Sequence, residues 1–232
     1  SLEIEALKLL KKSLNRNFDK AVNAIVNCQS KIIFCGVGKS GLIASKIAST
    51  MSSVGCPAFS LSANDCLHGD LGSISSKDLL ILISNSGKSK ELLPIIKFAN
   101  RNKIKIIGIV SEKNSSLYKG SDIQILLPEV KEAGLGIVPT SSTSVQLAVG
   151  DALAVSALNK KKFSKYDFSK LHPGGNLGKQ LKTVEELMVT KNKIPFINEN
   201  KNLKNAIKTI TSKKLGVLIA RNSKGLTKGI LN

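Results

Sequence analysis

Short β-rich runs alternate with helical stretches through most of this 232-residue chain, and that alternation restricts the fold more than any other feature. Lys31–Cys35, Ala58–Leu61, Asp78–Ile83, Ile104–Val110 and Ile123–Leu127 read as strands. Ser40–Val54, Ser89–Asn102 and Ser142–Asn159 read as helices between and after them. An amphipathic helix over residues 2–28 comes first, with Leu7, Leu10, Leu14, Phe18, Val22 and Ile25 at helical spacing. Strands separated by helices cannot pair as hairpins. They imply a parallel sheet covered on both faces, an α/β doubly wound sandwich of five strands. In such a sheet the ligand crevice lies at the carboxyl ends of the strands. Gly36–Gly41, Ser62–Gly72, Ser84–Ser89 and Pro128–Thr140 should therefore share one rim.

The pattern breaks near Lys182, which divides the chain into 1–182 and 183–232. The second part opens with Thr183-Val184-Glu185-Glu186-Leu187-Met188. A strand near Ile194–Ile197, a helix near Leu203–Ser212, a strand near Gly216–Ala220, a turn at Asn222–Gly225 and a strand start at Gly229–Leu231 follow. With no initial Met and a last strand that stops short, the chain reads as a piece of a longer protein.

A net charge of +19 raises the question of nucleic acid. The charge is spread out. Residues 191–232 carry ten Lys/Arg against one Glu, and residues 1–190 carry the other twenty-five against fifteen acids. With 4% aromatics and no Trp there is no platform on which bases could stack. The reading is solvated lysine faces, a field that also suits an anionic substrate. No apolar run approaches the ~20 residues of a membrane span, and Ser1–Lys12 lacks the order of a signal peptide, so a cytoplasmic protein is expected. Cys28, Cys35, Cys56 and Cys66 form no Cys-x-x-Cys pair and read as buried free thiols.

Ser84-Asn85-Ser86-Gly87-Lys88-Ser89 joins an apolar strand to a helix. Hydroxyls and backbone N–H groups at a helix N-terminus suit a phosphate, and Gly87 allows close approach. Gly36-Val37-Gly38-Lys39-Ser40-Gly41 contains Gly-Lys-Ser, but not at P-loop spacing or with the glycines of a dinucleotide fingerprint. It reads as a second substrate loop with a cation at its tip. His68 and His172, the only two histidines, both lie in glycine-rich loops. Glu91 follows the serine loop by one turn, and Glu132 lies on the same rim. These side chains are candidates for proton transfer.

Taken together, GVGKSG, LHGDLG, SNSGKSKEL, PEVKEAGLGIVPTSSTSVQLAVGDALA and LHPGGNLGKQL resemble, in this order, the D-arabinose 5-phosphate isomerases. That family joins a sugar isomerase (SIS) domain, a flavodoxin-like three-layer sandwich, to two CBS motifs. SNSG alone signals the wide SIS superfamily, whereas PEVKEAGLGIVPTSST with HPGGNLG is narrower. The resemblance implies an SIS domain over 1–182 and a truncated first CBS motif over 183–232, the second being absent. It implies interconversion of ribulose 5-phosphate and arabinose 5-phosphate for synthesis of the lipopolysaccharide sugar Kdo. Carried onto matching positions, it makes Lys39, His68, Glu91, Glu132 and His172 active-site residues. Ser40, Ser84, Asn85, Ser86 and Ser89 become the phosphate grip. It implies a homotetramer, with 1–28 and the region of His172 as interface elements and a site shared between subunits. A nucleotide or CMP-sugar effector would belong to an intact CBS pair.

Aldose–ketose isomerisation moves a proton between adjacent carbons through an enediol, and in principle needs no metal or other cofactor. Glu132 or Glu91 is the expected carbon base, with the histidines serving hydroxyl protons and Lys39 the developing charge. His68 and His172 are also expected to be able to trap an inhibitory zinc. Two alternatives stand beside this reading: a paralogous isomerase of another sugar-phosphate pathway, and a non-catalytic sugar-phosphate sensor.

Overall fold

The computed structural model describes residues 1–172 and 183–232. The chain forms two compact units, Ser1–Lys179 and Gln180–Asn232. The break expected near Lys182 and most of the LHPGGNLGKQL stretch lie outside the described residues.

In the first unit the elements run α1 (Leu2–Ser13), α2 (Arg16–Val26), β1 (Ile32–Gly36), α3 (Lys39–Ser53), β2 (Ala58–Ser62), α4 (Ala63–Cys66), a 3₁₀ turn (Asp70–Ser73), β3 (Leu79–Ile83), α5 (Leu92–Arg101), β4 (Lys105–Val110), α6 (Ser116–Gly120), β5 (Ile123–Leu126), α7 (Ser141–Lys160) and α8 (Lys165–Leu171). The five strands form one parallel sheet in the order β2-β1-β3-β4-β5. Chain order reverses between β1 and β3, so the loops leaving these neighbouring strands frame the crevice of a doubly wound sheet.

The central strands are apolar throughout because both faces are covered. Alternate residues feed two cores. Ile32, Phe34, Ile81, Ile107 and Ile125 pack with α1, α2, α3 and α7, while Ile33, Leu80, Leu82 and Ile106 pack with α4, α5 and α6. Small residues let α3 and α7 approach closely: a Cβ on Gly150 would lie 2.2 Å from Ile47 Cδ1. The Lys46 Nζ to Asp151 Oδ2 contact of 2.7 Å ties the same two helices.

The single helix expected over 2–28 is two helices. Leu14 is extended at ψ 133°, and the Asn15 side chain accepts from Asn17 N–H to restart the chain as α2. Helical apolar spacing continues across the break, which hides the cap. The helix expected from Ser89 begins instead at Leu92, because Ser89 is held in the serine loop. Three of the four free thiols are buried. Burial, reinforced by Cys66, pushes Cys35 up to about 12. Burial, reinforced by Asp70 and Asp65, pushes Cys66 to about 11.

At the opposite end of the sheet from the crevice, Asp78 locks β1 to β3. Its side chain accepts from Lys31 Nζ at 2.9 Å and from Ser75 N–H at 2.7 Å. Burial raises its pKa, but these bonds outweigh burial and hold it at about 2. Asp78→Ala should cost about 2–3 kcal/mol in urea unfolding, less than a fully buried pair because Lys31 stays partly hydrated. The folded-state value is depressed, so this contribution is complete above the ordinary value of 3.8 and disappears as pH falls toward about 2. The difference between wild type and variant should shrink across that window.

The second unit contains α9 (Val184–Leu187), a 3₁₀ turn (Lys191–Lys193), β6 (Phe196–Asn198), α10 (Leu203–Lys213), β7 (Leu218–Arg221) and β8 (Thr227–Leu231). Its sheet has the order β6-β7-β8, with β6 parallel and β8 antiparallel to β7. Thr183 opens α9 with a reciprocal capping box to Glu186. Pro195, Ala206 and Leu218 are its buried apolar side chains among the described residues.

Candidate functional site

Two tight turns build the crevice. After β1, Gly38 adopts φ 57° and α3 starts at Lys39. Gly36 and Gly41 touch: a Cβ on Gly36 would lie 2.8 Å from the Ser40 backbone, and one on Gly41 would lie 2.8 Å from Gly36 O. Both must be glycine for the strand to enter the helix this sharply. Lys39 therefore stands at the positive end of α3, where a cation opposes the helix dipole. An anionic ligand in front of the helix removes that conflict.

After β3, the serine loop is held from within. Ser84 Oγ accepts from Gly87 N–H at 3.1 Å and lies 3.1 Å from Ser89 Oγ, and Ser86 Oγ accepts from Lys88 N–H at 3.3 Å. Ser84 is buried, so its hydroxyl shapes the loop, whereas Asn85 and Ser86 are exposed. The chain leaving β4 clamps the loop from outside. Ser111 N–H donates to Asn85 O at 2.9 Å, Ser111 Oγ donates to Asn85 Oδ1 at 2.6 Å, and Lys88 pairs with Glu112. With its oxygen engaged by Ser111, the Asn85 amide offers its NH₂ donors as the free edge.

Glu132 closes the third side. Its Oε2 accepts from Thr140 N–H at 2.8 Å, Thr140 Oγ1 at 3.1 Å and Ser142 N–H at 3.3 Å, all at the N-terminus of the twenty-residue α7. Burial raises its pKa, but the bonds from Ser142 and Thr140 outweigh burial and lower it. The carboxylate is ionised at neutral pH.

Lys39, Ser40, Asn85 and Glu132 line a single cavity of about 500 Å³, joined by Ser142 and Gln146. The structure therefore assembles four of the expected residues from three separate loops. Ser84, Ser86, Ser89, Glu91, His68 and His172 do not line it. Glu91 is the N-cap position of α5, and His68 is exposed after α4. His172 stacks on Phe168 with ring centroids 3.8 Å apart. Its Nδ1 meets Phe168 O at 2.9 Å; a carbonyl only accepts, so Nδ1 carries a proton. Among the described residues no group of three or more His, Cys, Asp or Glu is placed to hold a metal ion.

Sequence reasoning missed Ser111, Ser142 and Gln146. The i, i+4 spacing of Ser142 and Gln146 at the start of α7 was the available signal, since it puts both on one helix face.

The SIS domain family matches residues 25–156. The chain is 39% identical to the arabinose 5-phosphate isomerase KdsD of Yersinia pestis over 99% of its own length and 70% of the relative's. It is 42% identical to that of Francisella tularensis over 96% and 70%. This chain belongs to the SIS-domain arabinose 5-phosphate isomerases. An Escherichia coli CFT073 protein solved in complex with arabinose 5-phosphate matches with a TM-score of 0.72 and 37% identity, over 74% of this chain and 92% of that one. The crevice of this isomerase-family chain faces the same edge of the sheet that its strand order designates for ligand.

Proposed function

We propose that the chain interconverts D-ribulose 5-phosphate and D-arabinose 5-phosphate. The observation that carries the reading is the convergence of Lys39, Ser40, Asn85 and Glu132 on one cavity at the β1/β3 switch point. KdsD relatives matched along nearly the whole chain support it.

In this mechanism the phosphate sits against Ser40, Asn85, Ser86 and Ser89, where Asn85 donors and the N-terminus of α3 face the anion. Ser84 keeps the serine loop in shape. Glu132 takes the proton from the carbon beside the carbonyl and returns it to the neighbouring carbon, using the oxygen that its anchoring bonds leave free. Cavity membership favours Glu132 over Glu91 as this base. Lys39 stabilises the charge that develops on the enediol. His172 and His68 serve the hydroxyl protons. Because neither histidine lines the cavity, they fit a site completed by another subunit of a homotetramer, with zinc captured by the pair acting as an inhibitor.

The product then feeds Kdo synthesis in the cytoplasm. Residues 183–232 are assigned as a first CBS motif, in keeping with their β-α-β-β order, and a nucleotide or CMP-sugar effector would act through a complete pair.

The test is direct. Incubated with ribulose 5-phosphate, without added metal or nucleotide, the protein should form arabinose 5-phosphate to equilibrium. Binding of the sugar phosphate without turnover would instead favour a sensor.

A further inference from the structure

Gln146 belongs to the second turn of α7 and is 1% exposed. Its Oε1 is buried and has no hydrogen-bond partner among the described residues. The residue nevertheless lines the cavity that holds Lys39, Asn85 and Glu132. Ser142, one turn earlier on the same face, donates its N–H to Glu132 and lines the cavity too. Ser141 Oγ is also buried without a partner among the described residues, but Ser141 is not part of the cavity wall. Among the described residues, Gln146 alone combines an unmatched acceptor with a place in the site.

A buried amide with an unmatched oxygen is unfavourable wherever a methylene of the same shape would fit. α7 otherwise fills its buried face with Val145, Val149, Leu153, Ala154 and Ala157, so an apolar side chain is what packing alone would select at 146. Gln146 shares the cavity with Asn85 and Glu132, and a phosphate dianion, which only accepts, cannot serve its unmatched oxygen. The chemistry that matches it is a hydroxyl, which can donate to Oε1 while its own oxygen accepts from Nε2.

We propose that Gln146 is a substrate-binding residue that grips a hydroxyl of the sugar chain, so that the cavity selects a polyol phosphate rather than a bare phosphate. The inference rests on the sugar-phosphate reading of this cavity and adds the group that reads the sugar.

The test uses the whole chain, with D-ribitol 5-phosphate and inorganic phosphate as competitive inhibitors of isomerisation. Gln146→Met keeps the shape and removes both polar groups. It should weaken ribitol 5-phosphate about tenfold and leave inorganic phosphate within about twofold, as expected for losing one satisfied buried hydrogen bond. Its melting midpoint should equal or exceed that of wild type, because an orphaned acceptor is gone. Unchanged ribitol 5-phosphate affinity, equal weakening of both inhibitors, or a lowered midpoint would overturn the inference. If the Met variant does not fold, Gln146→Leu is read by the same three measurements, and failure of both to fold also overturns it. Failure of either probe to compete in the wild type would instead remove the sugar-phosphate reading itself.

Discussion

Glu132→Gln should lower kcat by about 10²–10⁴-fold, the range for losing a positioned general base. The substitution isolates chemistry from architecture. Oε2 of Glu132 is anchored by Thr140 and Ser142, and a glutamine oxygen can accept the same three bonds. What changes is the other position, where an NH₂ replaces an oxygen and cannot take a proton. Exchange of solvent deuterium into the carbon next to the carbonyl should fall in step with kcat. Wild-type exchange in this variant would move the carbon base to Glu91. The pH profile gives a second reading. Bonding depresses the carboxyl below its ordinary 4.5, so the acid limb of kcat/KM should lie below that value. Any stability these bonds supply is present above 4.5 and lost as pH falls through the folded-state pKa.

The second large effect is on the serine loop itself. Gly87→Ala should destabilise the protein by about 2–5 kcal/mol, combining the left-handed backbone penalty with overpacking. Gly87 sits at φ 63°, and a Cβ there would lie 2.2 Å from Ser115 Oγ and 2.5 Å from Val110 Cγ2. Ser115 cannot step aside easily: it is buried, donates to Glu112 O and caps α6 by accepting from Tyr118 N–H. Gly87 O is meanwhile held by Leu117 N–H at 3.1 Å. The strain therefore passes into the loop, and KM for the sugar phosphate should rise by about 10²-fold for a displacement near 1 Å. Gly225 provides the contrast. Its φ is 78° but a Cβ there meets nothing within 4 Å, so Gly225→Ala should cost only about 1–2 kcal/mol. Equal urea midpoints for the two variants would show that crowding at Gly87 is unimportant.

The sheet and three sides of the site were readable in the chain because buried parallel strands leave strong signals. Leu79–Ile83 has no polar residue, and the turns after β1 and β3 concentrate glycine and serine where strand meets helix. The rim carries two cavities. Ser62–Gly72 contributes Ser62, Asn64 and Asp70 to a cavity that Gly36 and Gly38 also line, while Glu132 and Asn85 line the other. The break at Leu14–Asn15 stayed hidden because apolar spacing is indifferent to a single cap. Ser111 was invisible for a different reason. Its partner Asn85 is far away in sequence, and only the pairing of β3 with β4 brings the two together. Gln146 sits in an apolar helix face, where its i, i+4 spacing from Ser142 was the one sign that set it apart from an ordinary polar neighbour.

The buried thiols described above have a kinetic meaning. Only a thiolate reacts with oxidants or disulfides, and at about 12 the Cys35 sulfur is ionised in roughly one molecule in 10⁵ at pH 7. Cys66, at about 11, is ionised in roughly one in 10⁴. Global opening returns Cys35 to its ordinary 9.0 and multiplies its reactive form by about 10³, before any gain from access is counted. Damage by oxidants at these two positions therefore falls on unfolded chains first, and the native sheet shields itself by staying closed.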